Sequence, residues 1–288
     1  MLTAWFQRFR RSATERELPI TWLDVDAADA AEHPDLVVEI LAQAVDGVTV
    51  RGVYTPEEMR LAAERVPHLR DAETPVVFGS TLGRPLMQSG MSQDRTEHVD
   101  DAQRHRGVYI ELFGDDPHER IAGIMQKMAE GRPIVAPTED DRPYNPGQIR
   151  IMEPDGGGLP AHAGNEFLIS NEKGSASHLW ATTDALDHLS YFLMVQEADE
   201  GGELSVYDLL WEDPRADGDE VMVPLTHDET EFDERPHLSI TPRPGDLIVF
   251  RGGRRWHRVE PVHGTHARIT YGGFAAPSRG DDAIHCWS

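Results

Sequence analysis

TPRPGDLIVFRGGRRWHRVEPVHGTHARITYGGF, residues 241–274, decides how the fold is read. A Pro-Gly-Asp turn at 244–246 leads into the apolar run Leu247–Phe250. His257 then sits in a short alternating segment, and after Val-Glu-Pro-Val (259–262) comes a stretch carrying Arg268 and Thr270. Short runs bounded by Gly, Pro and Asp read as strands joined by tight turns.

The same texture extends upstream. GQIRIMEP (147–154), SYFLMVQEA (190–198), GGELSVYDLLW (201–211) and HLSITP (237–242) are β-branched or aromatic and end at turn residues. At least six close-spaced strands with no long helix between them predict a sandwich or barrel. Before residue 146 the pattern is helical: DLVVEILAQAV (35–45), HERIAGIMQKMAEG (118–131), and TPEEMRLAAERV (55–66), which opens with a capping box from Thr55, Pro56 and Glu58. GVTVRGVY (47–54) alternates as a strand. The expected organisation is one catalytic domain of mainly β class. Residues 1–145 form a helical support and substrate lid, 146–276 the β core, and 277–288 a C-terminal tail.

Bulk properties exclude several classes. A net charge of −24 argues against nucleic-acid polymers and anionic membrane surfaces. No run of about 18 apolar residues is present, so no transmembrane helix is expected. The single cysteine, Cys286, fits a reducing compartment, with cytoplasm the default. MLTAWFQRFRRSATERE (1–17) lacks the apolar core of a secretory signal and reads as a short amphipathic helix, a transit peptide being the minor alternative.

Taken in order, His162, Gly-Gly-Glu at 201–203, Pro-Arg-Pro-Gly-Asp at 242–246, His257, and Arg268 with Thr270 resemble the iron(II)/2-oxoglutarate oxygenases of the prolyl-hydroxylase type. The resemblance spans roughly residues 146 to 276 and implies a double-stranded β-helix (jelly-roll, cupin-like) core. It also implies Fe(II) on His162 and His257, with 2-oxoglutarate and O₂ as further cofactors. The chemistry agrees: two imidazoles on neighbouring strands offer iron two nitrogens and leave positions open. A distal carboxylate calls for a planar guanidinium, and Arg268 and Thr270, two apart on a strand, share a face.

The family pattern requires Asp two residues after the first His, and this chain has Gly164. Three readings follow: a degenerate site, an acid such as Glu166 reaching the metal from farther along, or an opened position for an anion. On a strand, a residue four after His162 projects differently from one two after. Opening for an anion is the pattern of the iron/2-oxoglutarate halogenases, which the sequence resembles more closely. There chloride or bromide binds iron in the vacancy, a hydrogen atom is taken from an unactivated carbon, and the substrate radical receives the halogen. Both histidines and the flanking motifs are intact, which favours a changed reaction over a lost one.

Length and the 95 residues between His162 and His257 are similar to the carrier-independent group, implying a free small-molecule substrate and no carrier protein. Within it, halogenases of indole alkaloids and of deoxyadenylate are the two models. Arg251, Arg254, Arg255 and Arg258 cluster around His257. Arg255 shares the face of His257 and is the candidate for a substrate phosphate, with RHRG (104–107) as a second basic segment in the lid. The alternative is that these arginines pair with surface acids. Arg150 is a further substrate-facing candidate. The expected substrate is a purine deoxynucleotide such as 2'-deoxyadenosine monophosphate. Alternatives are an indole alkaloid, a hydroxylation, or a non-catalytic binding protein.

Overall fold

The computed structural model describes residues 20–76, 78–213 and 230–288. The expected helix at 1–17 lies outside them. The strands used below are β1 (Trp22–Asp26), β2 (Gly47–Arg51), β3 (Glu73–Pro75), β4 (Ser80–Leu82), β5 (Gln148–Met152), β6 (Leu159–His162) and β7 (Leu189–Gln196). They continue as β8 (Leu204–Leu210), β9 (His237–Ile240), β10 (Leu247–Phe250), β11 (Arg255–Val259), β12 (Arg268–Pro277) and β13 (Ile284–Trp287).

Strands β5 to β12 divide between two sheets, alternating except for the consecutive pair β8 and β9 in the smaller one. The larger runs β1-β2-β10-β7-β12-β5-β4-β3, and the smaller runs β9-β8-β11-β6. Every pairing within this eight-strand set is antiparallel. The two sheets face each other as a double-stranded β-helix.

Period-two patterning sorts the side chains of the larger sheet. Ile149 and Ile151, Tyr191 and Leu193, Leu247 and Val249, and Ile269 and Tyr271 point to one face and join one buried cluster. That cluster also takes Val37 and Ile40 from α1 (Leu36–Leu41), Met59 from α2 (Pro56–Arg65), Leu112 and Phe113 from α3 (Thr96–Phe113), and Ile121 and Met125 from α4 (Pro117–Lys127). Burying each such side chain contributes roughly 1.5–3 kcal/mol, which fastens the helical layer to the outside of the barrel. The other face looks into the barrel and carries Gln148, Arg150, Ser190, Phe192, Met194, Arg268 and Thr270. A buried apolar face is interrupted there by an unusual number of polar groups.

Several expectations hold in detail. The Thr55 hydroxyl accepts the Glu58 N–H at 3.2 Å and the Glu58 carboxylate accepts the Thr55 N–H at 2.7 Å, closing the capping box. In the Pro-Gly-Asp turn, the Asp246 carboxylate accepts the N–H groups of Arg243 (2.9 Å) and Gly52 (3.1 Å) and pairs with Arg51 at 2.7 Å, tying the turn to the N-terminal layer.

The expected partition does not follow the sheet. Strands β1 to β4 come from the segment read as helical support, yet they flank both edges of the larger sheet. Residues 277–288 are no loose tail, because β13 pairs with β12 and buries Ile284, Cys286 and Trp287. No described helix is long and apolar enough to cross a membrane.

Candidate active site

His162 ends β6 and lies directly opposite His257 on β11. Their ring centroids are 4.2 Å apart, and His257 is 5% exposed. Each ring is held by a carbonyl two residues back in its own strand. His162 Nδ1 lies 2.7 Å from the Pro160 oxygen, and His257 Nδ1 lies 2.8 Å from that of Arg255. A carbonyl only accepts, so Nδ1 carries the proton and Nε2 the lone pair in each neutral ring. Burial, with a smaller contribution from neighbouring His188, pushes the His257 pKa down to about 4. That ring is therefore neutral, the state a metal needs.

After His162 the chain does not continue as a strand. It turns, and Gly164 begins the helix α5 (Gly164–Ser170). This corrects the strand geometry applied to Glu166. The residue sits in the first helical turn, is 6% exposed, and accepts the Ala163 N–H at 3.3 Å. Among the described residues, no group of three His, Cys, Asp or Glu side chains is arranged to hold a metal ion. Among the described residues, no carboxylate completes such a group in place of the missing one.

Arg268 and Thr270 lie on the inner face of β12, and Arg150 on β5 is directly opposite Thr270. Arg268 is 3% exposed. Its Nε donates to the Gly202 carbonyl at 2.8 Å, and its guanidinium lies 5.1 Å from the Phe192 ring centre. Gly202 therefore links the Gly-Gly-Glu motif to the arginine: its φ is +74°, and a Cβ there would stand 2.9 Å from Arg268 Cδ. Burial, then the adjacent Arg150, lowers the Arg268 pKa to about 10, and burial alone lowers that of Arg150. Among the described residues, neither guanidinium has a carboxylate within ion-pair distance. A buried Arg268 and a half-buried Arg150, neither in an ion pair among the described residues and only the first offset in part by the charge of Glu203, form a seat for an anion, since a poorly compensated buried charge is costly.

The arginines around His257 differ sharply. Arg255 was the sequence candidate for a phosphate, but it is 6% exposed and donates to Asp46 from Nε (3.1 Å) and Nη2 (2.6 Å). Arg251 reaches the same carboxylate at 3.2 Å, Arg254 pairs with Asp187 at 3.0 Å, and Arg258 pairs with Asp233 and Glu260, both at 2.8 Å. In the basic segment 104–107, on α3, Arg104 pairs with Asp101 and Arg106 with Asp116 and Glu119. Arg255 is a structural cation, and the phosphate role is withdrawn from it.

Sequence reasoning missed other residues of the site. Phe167 packs edge-on to His162 at 5.4 Å and Phe250 to His257 at 4.8 Å. Phe192 lies under Arg268. Counting back by two along β7 from Phe192 gives Ser190 and then His188, the one signal that could have exposed that third histidine.

Two imidazoles at one strand pairing, each with Nδ1 held by a carbonyl, beside two arginines with no ion-pair partner among the described residues, fit a metal together with an anionic co-substrate. The sequence model of a family described as carrier-protein-independent halogenase WelO5 matches residues 19–288. The chain belongs to the carrier-protein-independent halogenase family. It is a non-haem iron oxidoreductase, and the family implies Fe(II), 2-oxoglutarate and O₂ as cofactors.

Among solved structures, an N-substituted L-amino acid dioxygenase from Burkholderia ambifaria AMMD, in complex with alpha-KG, is similar in fold. It is 16% identical, with 88% of this chain and 90% of that chain covered and a TM-score of 0.53. A 2OG-Fe(II) oxygenase-family oxidoreductase from Burkholderia pseudomallei is 17% identical, with 92% and 99% covered and a TM-score of 0.44. The first likeness concerns the fold alone. No curated protein matches the chain.

Proposed function

We propose that this family member is an Fe(II)/2-oxoglutarate-dependent halogenase that chlorinates or brominates an unactivated aliphatic carbon of a free small molecule. The observation that carries the reading is the His162–His257 pair with Gly164 beside it and no third protein ligand among the described residues. With 2-oxoglutarate and O₂, the metal supplies the oxidant that removes a hydrogen atom, while 2-oxoglutarate is decarboxylated to succinate and CO₂ and a halide supplies the transferred group.

The protein's part is binding and exclusion. His162 and His257 hold the metal through Nε2, their rings fixed by the Pro160 and Arg255 carbonyls. Arg268, with Thr270 beside it, takes the distal carboxylate of 2-oxoglutarate. Arg150, first read as facing substrate, shares that anion, because it lies across from Thr270 and has no acid of its own. Gly164 leaves the halide position open. Phe167, Phe250 and Phe192 surround the polar groups and keep water out.

The substrate is a free small molecule that needs no carrier protein. A purine deoxynucleotide has lost its support, since the arginines that favoured a phosphate are ion-paired. The test is turnover of candidate free substrates with chloride, bromide or neither. A product whose mass carries the isotope pattern of the halide present supports the reading. Consumption of 2-oxoglutarate with a product indifferent to halide contradicts it in favour of a hydroxylase.

A further inference from the structure

Gly164 is closely bounded, and its boundary is His188. A Cβ built on Gly164 would stand 2.5 Å from His188 Nε2, 2.9 Å from its Cε1 and 3.2 Å from the Gly252 carbonyl oxygen. Real side chains do not tolerate the first of these distances, so either the imidazole or the backbone would have to move.

Neither has room. His188 is 3% exposed, and its ring stands edge-on to Phe274 at 5.1 Å and to Trp287 at 5.7 Å. Its Nδ1 lies 3.0 Å from the Ala185 carbonyl, so Nδ1 donates and Nε2 presents a lone pair toward Gly164. The backbone is laced down as well. The N–H groups of Gly164, Asn165 and Gly253 donate to the carbonyls of Gly252, Gly253 and His188, each at 2.8 Å. The Asn165 side chain donates to Asp187 at 2.7 Å and accepts the Asp187 N–H at 2.9 Å. Segments 163–165, 187–188 and 252–253 form one interlocked joint around the imidazole.

We infer that His188 is a specificity-determining positioning residue: it fills the space through which an acidic side chain at residue 164 would be tethered, so the coordination position there accepts only a ligand arriving from solution. His188 blocks the tether and leaves the metal-facing position open. Its lone pair would also repel a carboxylate introduced at 164. This rests on the proposed role of Gly164, but it makes a claim of its own, that the glycine and the histidine are coupled.

The test compares wild type, Gly164→Asp, His188→Ala and the double variant. Each apoprotein is titrated anaerobically with Fe(II) and 2-oxoglutarate, with and without chloride, and Tm is recorded. Gly164→Asp alone is expected to lower Tm and not to tighten Fe(II) binding. The double variant is expected to regain Tm relative to Gly164→Asp, to bind Fe(II) tighter than wild type by about an order of magnitude, and to ignore chloride. His188→Ala alone is expected to keep the chloride response of wild type.

Gly164→Asp tightening Fe(II) as much as the double variant overturns the inference. If Gly164→Asp does not fold, Gly164→Ala adds the same Cβ without charge, and failure of His188→Ala to restore its Tm overturns the inference too. A wild-type protein that shows no chloride response counts against the functional reading instead, and the coupling of 164 to 188 in Tm still decides this one.

Discussion

The side chain of Arg268 passes over Gly202 and donates its Nε to the Gly202 carbonyl at 2.8 Å. The two motifs, 66 residues apart, are thus one device for aiming a guanidinium. Gly202→Ala forces a side chain onto a φ of +74° and to 2.9 Å from Arg268 Cδ. The expected outcome is 2-oxoglutarate affinity reduced by about tenfold, the equivalent of roughly 1.4 kcal/mol, with Fe(II) affinity unchanged. Calorimetric titration of both ligands checks it.

Arg150 and Arg268 are predicted to trade stability for binding. Arg150→Met removes a half-buried charge that lowers its neighbour's pKa and has no acid partner among the described residues, so the apoprotein Tm should rise. In the same variant 2-oxoglutarate should bind about 10–100-fold more weakly, the scale of one lost charge-assisted hydrogen bond. Arg268→Lys, which keeps the charge and loses the fork, should fall in the same range. A thermal melt beside a binding isotherm separates the two effects.

Asp46 neutralises two buried arginines, accepting from Arg251 at 3.2 Å and Arg255 at 2.6 Å. Asp46→Asn removes the charge both share, leaving Arg255 only its 3.6 Å pair with Asp208, and is predicted to destabilise the protein by about 3 kcal/mol or more, without changing 2-oxoglutarate affinity. Chemical denaturation measures the first effect and an isotherm the second.

These contacts mark the limits of the sequence. The order His162, Gly-Gly-Glu, Pro-x-x-Gly-Asp, His257, Arg268 was legible because it resembles the family pattern, while turn residues and strand period marked the strands that carry it. The fate of Arg255 was not, because Asp46 lies 209 residues away and only the folded sheet brings them together. The same holds for His188 against Gly164, whose contact depends on the chain turning from β6 into α5. The helix α3 went unread because its apolar stripe, Val99, Ala102, Tyr109, Leu112 and Phe113, is diluted by charged residues. Strands β1 to β4 went unplaced because a short strand's sequence carries no mark of the distant strand it pairs with.

The helical layer should be acid-sensitive through His118. Burial pushes its pKa down to about 4 from 6.5, so between these values the unfolded chain binds a proton that the folded protein resists. Stability is therefore full above pH 6.5 and is lost as pH falls toward 4, at about 1.4 kcal/mol per pH unit for this group. His118→Gln should flatten that part of the stability–pH profile, measured by denaturant unfolding of the metal-free protein.

The most direct test of the account needs no substrate. Anaerobic apoprotein is titrated with Fe(II) and 2-oxoglutarate, and the metal-to-ligand charge-transfer band is followed with and without chloride. The account predicts a band that chloride shifts, or a 2-oxoglutarate affinity that chloride tightens, because an anion takes the position beside Gly164. A band indifferent to halide, or no band at all, contradicts it.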